Sequence, residues 1–223
     1  MIKNFCVLIP SYNEAKTIGG IIKELKRRGL TIYVVDDGSI DDTASIAKAE
    51  GAVVVTHEKN KGKGASLREG FLSILESDYD CVLVMDGDNQ HALSDIDSFL
   101  KKMEETNADM VIGNRMLDTS SMPHTRLLVN RFMSQVISRI AAQYIPDSQC
   151  GFRLIKRSVL QKIRLESSNY EIESEMIVKA AREGFKIESV PTKTVYQDEK
   201  SRINPIVDTI RFVALLLKIL LRR

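Results

Sequence analysis

With 223 residues, 43% of them hydrophobic and 28% charged, the chain is long enough to bury one substantial core with a small appendage. Its net charge of +2 excludes the broadly basic surface that sequence-independent binding to nucleic-acid backbones requires, so no nucleic-acid partner is expected. Cys6, Cys81 and Cys150 form no CxxC pair, two of them lie in strand-like apolar runs, and the set reads as core hydrophobes in a reducing compartment. Met1 to Asn4 leads into the first such run without a long apolar stretch. The expectation is therefore no signal peptide and a cytoplasmic catalytic part.

In chain order, apolar runs at 5–9, 32–35, 53–56, 81–85 and 110–112 alternate with helical patterns near 17–28, 42–50, 63–76 and 94–105. That alternation predicts βαβ units and an α/β fold, with a mostly parallel sheet flanked by helices. Each strand ends in polar, loop-forming residues: Pro10-Ser11-Tyr12-Asn13-Glu14, Asp36-Asp37-Gly38-Ser39, Asn60-Lys61-Gly62-Lys63-Gly64, Asp86-Gly87-Asp88 and Gly113-Asn114-Arg115. One rim of the sheet thus collects the unusual chemistry. Further on, 125–144 carries Val129, Phe132, Met133, Val136, Ile137, Ile140 and Ala141 at helical spacing, which predicts a core-facing helix.

Residues 206–221 are mostly apolar, but their longest unbroken apolar run is 212–217, far short of the about 20 residues that a spanning helix needs. As a helix the segment places Arg211, Lys218 and Arg222 on one stripe and leaves the rest apolar. This predicts a catalytic domain over 1–204 and a C-terminal amphipathic helix over 205–223 lying in a membrane interface, the rival being a helix packed on the core or on a second copy.

The acids at the end of the 81–85 run carry the most information. In an open α/β sheet, ligands bind outside the carboxyl ends of the strands, where Asp86 and Asp88 can jointly hold a hard divalent cation. With Gln90 they offer oxygen ligands at alternate positions, suited to Mg²⁺ or Mn²⁺. His91 reads as a hydrogen-bonding or capping group beside them.

The blocks at 10–14, 34–43, 60–64 and 86–88, in this order and spacing, resemble family 2 glycosyltransferases of the GT-A fold. Gly113-Asn114-Arg115, Asn130-Arg131, Asp147 to Arg153 and Asp86 to His91 are similar to the dolichol-phosphate mannose synthase and polyprenyl-phosphate glycosyltransferase branch. The resemblance implies a donor pocket made by Pro10, Tyr12, Glu14, Val35 and Asp37, with Lys63 and Asp86 toward the diphosphate. It also implies that Glu173, in the acidic start of a helix, accepts a sugar hydroxyl, in preference to Glu171 and Glu175.

Such a resemblance implies a metal-dependent, inverting transfer of a hexose, mannose or glucose, from a GDP- or UDP-sugar to a dolichyl or undecaprenyl phosphate. The Gln-x-x-Arg-Trp motif of hydroxyl-directed relatives is missing, because the chain has no tryptophan. A phosphate monoester is already anionic near neutral pH and needs cations rather than a general base. Asp88, Arg115, Arg131, Arg202 and Glu173 are then the expected catalytic set, with Arg153 either a further cation or structural. The rivals are transfer to a glycan or small hydroxyl acceptor with Glu173 as base, and a non-catalytic nucleotide-sugar binder. Attachment to the cytoplasmic face of a membrane is expected, and a membrane subunit or homodimer stays open.

Overall fold

The computed structural model describes residues 2, 4–119, 122–193 and 211–217. Within them the elements run β1 (Phe5–Ser11), α1 (Ile18–Arg27), β2 (Thr31–Asp36), α2 (Thr43–Ala49), β3 (Val53–Thr56), α3 (Lys63–Leu75), β4 (Cys81–Val84), α4 (Ile96–Thr106), β5 (Met110–Asn114), α5 (His124–Ala141), β6 (Arg153–Lys156), α6 (Arg157–Lys162), α7 (Ile172–Arg182) and β7 (Ile187–Pro191). The seven described strands form one sheet in the order β3-β2-β1-β4-β6-β5-β7. Only β6 among them runs against its neighbours, β4 and β5.

Strands β1 and β4 are buried along their whole length, as central strands covered on both faces must be. α1 shows why the sheet is covered: Ile18, Ile21, Ile22 and Leu25 recur at three- and four-residue spacing and are all buried, while Lys26 and Arg27 oppose the dipole at its end. α3 approaches β1 closely because Gly70 lies against Leu8, leaving no room for a β-carbon. Successive connections from β1 to β3 move toward one edge, and β4 lies on the other side of β1. This makes the crevice beyond β1 and β4 the point where the winding reverses, the usual ligand position in such sheets.

The mostly parallel α/β expectation holds, and the first five strands fall within two residues of their predicted limits. β6 and β7 were not anticipated, because Arg-Leu-Ile-Lys and Ile-Glu-Ser-Val-Pro are too short and too charged to show a period. α5 faces the core as expected through Met133, Ile137 and Ala141, with Val136 and Ile140 packed against it, but Val129 and Phe132 are exposed. In the helical stretch 211–217, Phe212 and Leu215 pack into the core whereas Val213 and Leu217 face out. Lys218, Arg222 and Arg223, and with them most of the basic stripe, lie outside the described residues.

α7 is held by an internal carboxylate. Glu175 accepts backbone N–H bonds from Glu166 (2.9 Å) and Ser167 (2.8 Å) and pairs with Lys179 at 2.7 Å. Burial alone would raise its carboxyl, but the bonds from Lys179 and Ser167 outweigh that and hold it below the usual glutamate range. Because the folded value is the lower one, this stabilisation is complete above the unfolded value of about 4.3 and is lost as pH falls below it. Glu175→Gln is therefore expected to lower unfolding free energy by about 1–2 kcal/mol at pH 7, with the gap from wild type narrowing between about pH 5 and pH 3 in urea titrations.

Candidate active site

At the reversal point the chain leaves β4 through Met85 into Asp86, and Gly87 passes against Ser11 at the end of β1. The Thr17 hydroxyl bonds the Gly87 carbonyl at 2.6 Å, fixing this loop to the start of α1. Asp86 Oδ1 lies 2.6 Å from Lys63 Nζ, and the same ammonium donates to Glu173 Oε1 at 2.7 Å. Lys63 stands at the first turn of α3 and Glu173 at that of α7, so one half-buried cation joins the two halves of the sequence. Its amine also lies 5.8 Å from the centre of the Tyr170 ring.

His91 Nε2 is 3.3 Å from Asp86 Oδ2, and its ring stacks on Phe152 with centroids 4.9 Å apart. It thus orients Asp86, in keeping with the reading of His91 as a hydrogen-bonding group. Burial by itself would raise the Asp86 carboxyl, but Lys63 and His91 pull it far below the usual range. Asp88 moves the other way, pushed up by burial and by the charge of Asp86. Gln90 enters through its main chain, which donates to Asp88 Oδ1 at 3.0 Å. Gly151 closes the site from the side: a β-carbon there would come within 2.7 Å of Asp86 Oδ2 and 2.9 Å of Lys63 Nζ.

Among the described residues no three His, Cys, Asp or Glu side chains converge as a ready-made metal cage. The donor set still fits Mg²⁺ or Mn²⁺. Two carboxylates close enough for one to perturb the other offer hard oxygens, and such ions are commonly held by one or two carboxylates together with substrate phosphates.

On the donor side, Asp37 is buried and accepts from the backbone N–H groups of Lys61 (2.8 Å) and Gly62 (2.9 Å) and contacts His57 Nδ1 at 2.7 Å. His57 Nε2 lies 2.7 Å from Glu69. The Glu69–His57–Asp37 chain therefore sets the loop that presents Lys63, a role invisible in the sequence because the three residues are 12 to 32 positions apart. Lys61 itself is exposed. Tyr12 and Glu14 are half-buried at the same rim, whereas Pro10 and Val35 are buried, with Val35 packed in the core. Ser11 Oγ and Asp36 Oδ1 are buried without a hydrogen-bond partner, side by side in the β1–β2 register. Sequence reasoning passed over both, although each sits inside a block it had singled out.

Arg115 forms a two-pronged pair with Asp147, at 2.7 Å and 2.9 Å. Burial opposes its charge, but Asp147 keeps it firmly protonated. Arg153 is spent on structure, since its guanidinium binds the carbonyls of Cys150, Glu173 and Ser148 at 2.7–2.9 Å. Arg131 is exposed on α5, outside this buried cluster. Arg202 lies outside the described residues.

The mostly parallel sheet, with acids beyond its central strand, is an α/β fold of the GT-A type. The chain belongs to glycosyl transferase family 2, whose model matches residues 6–164. It is similar to the UDP-N-acetylglucosamine–dolichyl-phosphate N-acetylglucosaminyltransferase of Methanococcus voltae, at 29% identity over 86% of this chain and 86% of that one. It is also similar to the polyprenol monophosphomannose synthase of Mycolicibacterium smegmatis, at 30% identity over 83% and 75%. In fold it matches the crystal structure of glucosyl-3-phosphoglycerate synthase from Mycobacterium tuberculosis with Mn²⁺, UDP and glucosyl-3-phosphoglycerate, with a TM-score of 0.73 at 19% identity over 97% and 79%.

Removing Lys63 would leave Glu173 buried without its cation. Lys63→Met is expected to cost roughly 3 kcal/mol in urea unfolding, and adding Glu173→Gln to recover part of it, with a coupling of at least about 1 kcal/mol. Additive losses would mean that the two groups do not sustain each other.

Proposed function

We propose that the protein transfers one hexose or N-acetylhexosamine from a nucleoside diphosphate sugar to a polyprenyl phosphate. The observation that carries this reading over transfer to a hydroxyl is the state of Glu173. Glu173 Oε1 already receives the Lys63 ammonium at 2.7 Å, so the carboxylate that would have to serve as base is engaged by a cation. An anionic phosphate acceptor needs no base. The named relatives support the lipid acceptor, and because one is named for N-acetylglucosamine and the other for mannose, the donor is wider than the mannose or glucose of the sequence expectation.

In this reading Ser11, Tyr12, Glu14, Asp36 and Asp37 line the nucleoside side, and Lys63 faces the diphosphate. Asp86 and Asp88 would hold Mg²⁺ or Mn²⁺, an ion that, when bound, supplies positive charge to the departing nucleoside diphosphate. Glu173, fixed by Lys63, orients a sugar hydroxyl. Arg115 is steered by Asp147 toward the transferring phosphates, and Arg131 and Arg202 are assigned to the acceptor. The acceptor phosphate attacks the anomeric carbon in line, with inversion. A lipid acceptor calls for attachment to the membrane, which this reading assigns to the cytoplasmic face; among the described residues no helix is long and apolar enough to cross a bilayer.

The test is a panel of labelled GDP- and UDP-sugars with and without polyprenyl phosphate, scored for lipid-extractable label. Asp88→Asn and chelation by EDTA are each expected to lower that label by about a hundredfold or more, and added Mg²⁺ or Mn²⁺ to restore the chelated enzyme alone. Label appearing only in a soluble glycan would refute the lipid acceptor, and full turnover under EDTA would refute the metal.

A further inference from the structure

The Lys63 ammonium engages an oxygen that a metal at Asp86 would need. Asp86 has two carboxylate oxygens, and the protein itself covers both. Oδ1 receives Lys63 Nζ at 2.6 Å, while Oδ2 faces His91 Nε2 at 3.3 Å and the Gly151 backbone, where a β-carbon would come within 2.7 Å. The Lys63 side chain is only 13% exposed, so water offers its charge little in place of these partners. An ammonium and a divalent cation on the same carboxylate oxygen are like charges competing for one acceptor. The acids that fit Mg²⁺ or Mn²⁺ are thus already matched to a cation of the chain's own.

The surroundings limit which part of Lys63 can move. Its main chain is fixed, because Asp37 holds the Lys61 and Gly62 N–H groups at 2.8 Å and 2.9 Å and a β-carbon on Gly64 would fall 2.6 Å from the Ser167 carbonyl oxygen. Adjustment is left to the four-carbon side chain. Of its partners, Glu173 at 2.7 Å and the Tyr170 ring, centred 5.8 Å away, belong to one segment at the start of α7, and Asp86 belongs to another after β4. The ammonium can therefore give up Asp86 and keep the other two.

We propose that Lys63 is an internal competitor of the metal: its ammonium holds Asp86 until a nucleoside diphosphate draws it away, so that Mg²⁺ or Mn²⁺ binds together with the nucleotide and poorly before it. The inference rests on the reading of Asp86 and Asp88 as metal ligands and deepens it by adding an order of binding. The exchange is favourable because the ammonium trades one carboxylate for phosphate oxygens while it keeps Glu173, and Asp86 is freed from the charge that would repel a metal. Linkage makes the effect mutual, since the factor by which nucleotide raises metal affinity is the factor by which metal raises nucleotide affinity. A purely structural Lys63 has the opposite consequence: its removal would loosen the Asp86 loop and weaken metal binding.

Titrations of the full chain with Mn²⁺, followed by the electron paramagnetic resonance of the free ion with and without UDP or GDP, separate the two roles. Lys63→Met is expected to tighten binding of Mn²⁺ alone by about tenfold or more, and the gain that UDP or GDP brings to Mn²⁺ affinity should shrink by a similar factor. Lys63→Arg, which keeps the charge, should stay close to wild type. Unchanged or weaker binding of Mn²⁺ alone by a Lys63→Met protein that is folded by circular dichroism would overturn the proposal. Should that variant not fold, the wild type decides. Its Lys63 ¹⁵Nζ resonance, assigned by its absence from Lys63→Arg, is expected to hold its position in Mg²⁺ alone and to move when UDP or GDP is added as well; a resonance that stays in place throughout refutes the exchange. If Mn²⁺ binds no form of the protein even with UDP or GDP present, the metal reading falls and the competitor role with it. Mn²⁺ binding that is indifferent to Lys63→Met removes the competitor role alone.

Discussion

The Lys63 ammonium held between Asp86 and Glu173 is the interaction on which the site depends. A lysine with little access to water keeps its charge only beside anions, and two carboxylates at 2.6 Å and 2.7 Å satisfy that demand. The same contacts tie the first turn of α3, the loop after β4 and the first turn of α7 to a single point. With Asp88 nearby, the cluster retains more negative than positive charge, and burial and repulsion already raise the Asp88 carboxyl. A bound divalent cation would settle that imbalance, which is the physical sense in which these residues fit a metal that none of them encloses alone.

Around this point two further charged devices fix geometry. The Glu69–His57–Asp37 chain holds the Lys61 and Gly62 amides, so the loop entering α3 has one conformation. Gly38 helps to close the neighbouring loop. Its φ is +72°, and a β-carbon would fall 2.6 Å from the Lys59 carbonyl carbon. On the other side, Arg153 bonds the carbonyls of Cys150, Ser148 and Glu173, tying the chain before β6 to the first turn of α7. The rigidity is directional: the reacting rim rests on buried ion pairs, while the outer face of α5 and the outer side of 211–217 are left apolar and open.

Sequence alone determined the α/β class, the first five strands and the rim on which the acids lie, because periodicity and strand-end loops are local properties. It also picked out Asp86, Asp88 and Lys63, since each stands in a block whose composition is unusual by itself. Only the tertiary structure decided which side chains those residues meet. Lys63 and Glu173 are 110 positions apart and nothing local to either predicts the pair. Separation in sequence likewise hid the partner of Arg115, 32 positions away, while the antiparallel β6 was too short to show a period, and Arg153 looked like any other arginine in a promising motif. For α5 the sequence showed a helix with apolar residues around much of its circumference, but which of them face the core is set by where the sheet lies. Phe132 and Met133 are adjacent in sequence and equally apolar, and the 100° turn between neighbouring helical residues sends one to solvent and the other inward.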